Sequence, residues 1–250
     1  MIVEIFDAGN DIVRGDIFPP NPAQAIDNAR QVAHFEAAHG FFVEPDLYTY
    51  FQHTHRVLGI SLTPDVTVGI ANNIYAFLHI AVPVLVAGWV FARHRDRFGL
   101  LRNALIITGL LAFVGYMVYP VAPPRLTTGL LYHHHVFEFH NTMPYPKGGI
   151  RLNGRPLGYN PYAAMPSLHI AWATIVAATL ILLSRNRLVR IFAVIYPIIM
   201  LLAIVVTANH YIMDGVGSLI AVALAAPLAL AAGRLGRTRR KLRSLPESVP

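Results

Sequence analysis

The sequence predicts an all-α membrane protein, a multi-pass transmembrane helical bundle with five clear spans. Three observations carry this. Five windows, 69–91, 101–119, 163–183, 188–206 and 211–231, are long and apolar enough to cross a hydrocarbon core. Only 13% of the 250 residues are charged, and the deficit is concentrated after residue 68; a soluble domain carries about a quarter. The basic residues form short clusters between the apolar windows, as membrane-flanking anchors do.

The chain before the first span is different in kind. Residues 1–68 read as an N-terminal amphipathic, interfacial helical segment. Asn21-Pro22 has the form of an N-cap followed by proline at the first helical position, and Gly40 of a stop. Between them Ile26, Ala29, Ala33 and Ala37 recur at helical spacing. A second helix is expected over residues 45–58, with aromatic residues around Phe51 suited to a membrane interface. Both helices should lie along the surface or pack on the bundle. Residues 1–16 carry Glu4, Asp7, Asp11 and Asp16 and lack the basic start and apolar core of a cleavable signal. A sixth span within residues 1–18 is the one further candidate. Residues 69–232 form the membrane bundle, with a long loop at 120–162, and residues 233–250 a basic tail.

Charge sets the expected orientation. Arg93, Arg95, Arg97 and Arg102 lie between the first two spans, and Arg185, Arg187 and Arg190 between the third and fourth. Six more basic residues lie between Arg234 and Arg243. With five spans these fall on one side, which the positive-inside rule makes cytoplasmic. The long loop, the start of the third span and the turn before the fifth then face outward, as in a plasma-membrane protein with an extracytoplasmic site. The net charge of +7 is thereby accounted for by anchors, and nucleic acid is not an expected partner. There is no cysteine, which excludes disulfides and thiolate metal sites.

Three stretches converge on the outward face. Asp214 is the lone acidic residue between Glu138 and Glu247, four positions after His210 at the mouth of an apolar span. On a helix that spacing shares a face, so the carboxylate can hold the ring and sharpen its other nitrogen as base or nucleophile. The same pair could equally serve as a helix cap. Pro166-Ser167 opens the third span, where free amides attract an anion, and His169 follows in its first turn. Arg125, in Pro123-Pro124-Arg125, offers a rigid fork of donors matched to phosphate. Two imidazoles, a carboxylate, a guanidinium and a helix start are a set suited to phosphoryl transfer through a covalent phosphohistidine.

In this order, Pro-Pro-Arg125, Met-Pro-Ser-Leu-His169 and His210-x-x-x-Asp214, the chain resembles the type-2 phosphatidic-acid phosphatase superfamily, and within it the branch that includes inositol phosphorylceramide synthase. The likeness runs from about Asn21 to Ala231. It implies a six-helix all-α membrane fold and metal-independent catalysis with no cofactor. It further implies that His210 attacks phosphorus, Asp214 orients it, His169 protonates the leaving oxygen, and Arg125 and Ser167 cradle the phosphate. Several positions depart from the family pattern. Val118 stands where many members carry lysine, Ala203-Ile204 where many carry Ser-Arg, and Leu168 where glycine is usual.

The resulting expectation is a lipid-phosphate phosphatase, or a phosphotransferase with a polyol acceptor, working among membrane lipids. A prenyl or polyprenyl diphosphate could also fill the pocket and be ionised or cyclised. A non-enzymatic transporter with a histidine proton relay would need polar residues at depth, which the spans scarcely contain. His133, His134, His135 and His140 lack acidic companions beyond Glu138, so no metal site is assigned. Lys147, Arg151 and Arg155 in the long loop are candidates to replace the missing cations. Replacing all three with glutamine should raise KM for an anionic lipid while leaving kcat near the parent value; an unchanged KM in steady-state kinetics would remove them from the site.

Overall fold

Asn21 starts the first helix with its side chain, whose Oδ1 accepts from the amides of Ala23 at 3.0 Å and Gln24 at 3.4 Å. The resulting α1 (Pro22–Ala38) is followed by Gly40 at φ 74, a left-handed position that glycine takes without strain. The computed structural model describes residues 21–57, 59–142, 151–152, 155–156 and 160–243. Among these, six further helices follow: α2 (Glu44–Phe51), α3 (Pro64–Arg93), α4 (Arg95–Val118), α5 (Leu168–Leu183), α6 (Arg187–Val206) and α7 (Ile212–Arg243).

Among the described residues, four helices are long and apolar enough to cross a membrane: α3, α4, α6 and the 212–234 part of α7. The expected span at 163–183 is helical only from Leu168, leaving α5 with 16 residues, about 24 Å, less than a hydrocarbon core of about 30 Å. The shortening has a local cause. Ala163 pairs with Val121 in an isolated β-bridge, and Ser167 is the N-cap. The first span begins at Pro64, ahead of the expected residue 69, and contains a π-turn at Ile74–Leu78. The second helix stops at Phe51 rather than residue 58, because His55–Val57 pairs with Ile60–Leu62 as a hairpin. Two more short hairpins, Leu130–Tyr132 with His135–Phe137 and Arg151–Leu152 with Arg155–Pro156, interrupt the expected all-α character of the long loop. The candidate span within residues 1–18 lies outside the described residues.

Helices α4 and α7 pack along one another, as do α5 and α6, with α3 against α4 and α5. Val86, Val90, Ile170, Val176, Met200 and Ile204 fill the space between them. The outer faces keep large apolar side chains exposed, including Leu85, Val118, Leu182 and Leu188. So large an apolar surface fits contact with lipid rather than water. A second apolar cluster sits at one end of the bundle, where Ala25, Ala29, Val32 and Ala33 of α1 meet Val121, Ala122, Ala208 and Tyr211. The small alanines let α1 approach the chain closely. Asn28 Nδ2 donates to Pro120 O at 2.8 Å, and Ala122 N–H donates to Ala25 O at 3.0 Å. Arg30 donates to Thr128 O from Nε and Nη2, and Tyr132 of the neighbouring hairpin donates its hydroxyl to the Asp46 carboxylate of α2. Helices α1 and α2 thus form a cap over the end of the bundle.

Glycines set the spacing beneath that cap. A Cβ at Gly115 of α4 would sit 2.8 Å from Pro166 Cδ, and one at Gly217 of α7 would sit 3.1 Å from Met165 Cε. The chain leading into α5 is therefore wedged between α4 and α7. Gly115→Ala should displace a rigid proline ring and destabilise the protein by about 1–3 kcal/mol, read as a lowered Tm in detergent. A Tm equal to the parent's would show that α4 and the 164–167 segment are not in register as described.

Candidate active site

The turn between α6 and α7 carries His210, and its geometry is specified by the residues around it. Thr207 and Asn209 are buried, and Ala208 occupies the left-handed region at φ 53, an uncommon place for a residue with a Cβ. Three hydrogen bonds hold the turn there. Thr207 Oγ1 donates to Ala203 O at 2.8 Å, Asn209 Nδ2 donates to Thr207 Oγ1 at 2.8 Å, and His210 N–H donates to Ile204 O at 3.2 Å.

His210 is buried, and its Nδ1 lies 2.8 Å from Ala164 O and 3.1 Å from Asp214 Oδ2. A backbone carbonyl can only accept, so Nδ1 must carry the proton and donate. In the neutral ring that leaves the lone pair on Nε2. Asp214 is completely buried, and its Oδ2 also accepts from Tyr211 N–H at 2.9 Å. The expected i, i+4 contact is thus present, and Ala164, from the segment before α5, supplies a second acceptor that spacing did not reveal.

Arg125 arrives from the turn Pro124–Leu126 and is tied to the same loop. Its backbone N–H donates to Ala208 O at 3.1 Å, and its Nε donates to Asn209 Oδ1 at 2.7 Å. His169, in the first turn of α5, lies with its ring centroid 5.4 Å from that of His210, edge to face. Tyr75 stacks on His169 at 4.3 Å, and His79 sits 4.2 Å from it on the other contact. Tyr75 lies in the π-turn of α3 and His79 directly follows it. His79 Nδ1 is 2.6 Å from Tyr75 O, a carbonyl that the widened turn makes available. His169 Nε2 is buried without a hydrogen-bond partner among the described residues.

These groups line one cavity of 430 Å³. Its polar wall is His79, Arg125, Asn160, His169, Asn209 and His210, and its apolar wall includes Phe113, Leu168 and Trp172. Ser167 does not line it. Its side chain is completely buried, Oγ has no partner among the described residues, and its N–H donates to Asp214 O at 3.2 Å. Ser218 Oγ ties the two elements further, with Ser167 O and Asp214 O both 2.7 Å away. Of the loop cations, Lys147 lies outside the described residues, while the backbones of Arg151 and Arg155 belong to the short ladder in which Leu152 faces Arg155.

Sequence reasoning passed over several participants. His79 is an ionisable residue inside an apolar span, and that alone is a signal of function. Asn209 adjoins His210 and could have been read as a partner for Arg125. Glu36 and Glu44 carried no signal, since nothing local connects them to residues near 210. Yet Glu44 Oε1 accepts from Ile212 N–H and Glu36 Oε1 from Met213 N–H, each at 2.7 Å.

No curated protein and no solved structure matches the chain. A family model described as PAP2 superfamily matches residues 30–228, a stretch that begins within α1 and includes Arg125, His169, His210 and Asp214. The match takes in most of the cap and of the bundle and the whole polar wall of the cavity, and on it the chain belongs to the PAP2 superfamily.

Proposed function

We propose that this protein is an integral membrane lipid-phosphate phosphatase or phosphotransferase working through a phosphohistidine. The observation that carries the reading is the state of His210. With Nδ1–H held by a carbonyl and a carboxylate, Nε2 keeps its lone pair on a cavity that also contains Arg125 and His169. Members of the superfamily are typically phosphoesterases, which agrees with this.

The steps follow from the groups. Nε2 of His210 forms the N–P bond as the P–O bond to the lipid alcohol breaks, and His169 passes a proton carried in on the phosphate monoanion to the departing oxygen. The positive charge left on the His210 ring faces Asp214, and Arg125 faces the phosphoryl oxygens while Asn209 fixes its guanidinium. A water, or the hydroxyl of a polyol acceptor, then attacks phosphorus. His169 takes that proton and the N–P bond breaks. Ser167, one residue before the helix, serves the site by holding the Asp214 backbone and by presenting the start of α5. No metal enters these steps. Arginine-rich turns at the other end of the bundle favour an outer-leaflet, extracytoplasmic location of the cavity in the plasma membrane.

A second reading has one observation in its favour. Tyr75, Phe113, Tyr116 and Trp172 line the cavity beside a single guanidinium among the described lining residues. Aromatic faces stabilise cations, so a prenyl diphosphate could be ionised there, with hydrocarbon rather than alcohol as product.

Purified protein in nanodiscs, incubated with radiolabelled phosphatidic acid and quenched with base, should retain an acid-labile, base-stable label. The label should vanish in His210→Ala, and turnover should fall on the order of 10³-fold or more. His169→Ala should accumulate label when the leaving group is an aryl alcohol that needs no proton. Arg125→Ala should lower kcat/KM on the order of 10²–10³-fold. Turnover with no label on His210 would refute the covalent route, and release of hydrocarbon from a prenyl diphosphate would favour the second reading.

A further inference from the structure

Glu36 and Glu44 belong to no motif and do not line the cavity, yet both are completely buried. Each uses one carboxyl oxygen on the first turn of α7: Glu44 on Ile212 N–H and Glu36 on Met213 N–H, while Asp214 takes Tyr211 N–H. A helix cannot satisfy its own first amides. Here three consecutive ones are held by carboxyl groups from three different elements. The second oxygens, Glu36 Oε2 and Glu44 Oε2, are buried with no hydrogen-bond partner among the described residues, and because the amides the two groups hold are consecutive, the carboxyl groups sit side by side. Neither makes an ion pair with a lysine or arginine among the described residues. Two facing carboxylate oxygens repel unless a proton lies between them.

We propose that Glu36 and Glu44 share one proton and together act as positioning residues for His210, clamping the first turn of α7 as a singly charged pair. This rests on the reading of His210 as nucleophile. The clamp also couples the two halves of the site. Helix α1, which carries Glu36, holds the chain leading to Arg125 through Asn28 on Pro120 O and Ala25 O on Ala122 N–H. Helix α1 therefore supports both the chain leading to Arg125 and the turn carrying His210, and errors of about 1 Å in their separation lower rates on the order of 10²-fold.

The clamp is sensitive to pH. The groups facing the pair are Asp214 and the Tyr211 phenol just before α7, the latter donating to Thr127 Oγ1 at 3.2 Å. Burial, then the neighbouring Glu44 charge, pushes the Glu36 carboxyl up to about 9, and burial pushes Glu44 up as well. A raised carboxyl stabilises the fold at low pH, and that contribution is lost as pH rises toward about 9. Above it, a second negative charge would develop beside Asp214.

The full chain in nanodiscs tests this through two readouts: kcat and KM for phosphatidic acid, and amide hydrogen exchange of peptides covering Tyr211–Asp214, both followed from neutral to alkaline pH. Glu36→Ala should lower kcat on the order of 10²-fold with little change in KM, and speed exchange. Glu36→Gln should rescue most of that loss, since the amide oxygen still accepts and the amide nitrogen replaces the shared proton. It should also remove the alkaline loss of kcat and of protection. The double variant Glu36→Gln/Glu44→Gln, which places two amide groups face to face, should lose both. Single glutamine variants as impaired as Glu36→Ala would overturn the shared proton. Parent-like kcat and exchange in the double glutamine variant would also overturn the shared proton, and parent-like values in either Glu36→Ala or Glu44→Ala would overturn the positioning role. Should the exchange pattern appear while the parent turns over no phosphate ester, the clamp stands and the phosphoryl-transfer reading falls.

Discussion

The start of α7 is an electrostatic problem solved in one place, and the site depends on the solution. Unsatisfied amides buried in a low-dielectric setting cost about 1–3 kcal/mol each, and hydrogen bonds from them to charged acceptors contribute about 1.5–3 kcal/mol. Tyr211, Ile212 and Met213 direct three such amides at Asp214, Glu44 and Glu36. The helix dipole adds to the attraction, because its positive end faces the carboxyl groups. The acceptors come from α1, α2 and α7 itself, so satisfying the amides also docks the cap on the bundle.

From that fixed turn the chemistry of His210 follows. A ring nitrogen between two acceptors can only be a donor, which fixes the tautomer of the neutral ring. Ala164 contributes one of those acceptors, and Ala164 is placed by its neighbours: Tyr116 donates its hydroxyl to Pro166 O at 2.8 Å, and Ala164 N–H donates to Val121 O at 3.2 Å. Backbone from the loop after α4 and from the start of α5 therefore sets the orientation of a side chain on α7. The left-handed Ala208 places its carbonyl where Arg125 N–H reaches it, so strain at one residue is spent on aligning the cation with the imidazole.

The bundle beneath is a support with few polar groups of its own. Its outer faces are apolar and exposed; the ionisable residues of the cavity gather at one end and the arginine clusters at the other, with His79 of α3 lying within an apolar helix. The π-turn that brings Tyr75 and His79 to His169 lies in the longest apolar helix, where it widens the backbone at the wall of the cavity. The 16 residues of α5 are fewer than a crossing needs, because the chain before Leu168 is used to build the site.

Much of this was legible along the chain. Apolar windows and arginine clusters located the long helices, since burial in lipid leaves a mark on every residue of a span, and Asn21 and Gly40 marked the ends of α1 through bonds made within a few residues. Four of the site's members, Arg125, His169, His210 and Asp214, stood out because their chemistry is out of place in an apolar segment. The pair Glu36 and Glu44 was invisible, as was the acceptor at Ala164, the partner of Arg125 at Asn209, and the burial of Ser167 away from the cavity. Periodicity and propensity report on neighbours a few positions apart, whereas the bond from Glu36 to Met213 spans 177 positions and exists only when α1 lies across the end of α7. Contacts of that kind depend on how helices pack, and packing is decided by shape and by the satisfaction of buried polar groups, neither of which can be read from a linear pattern.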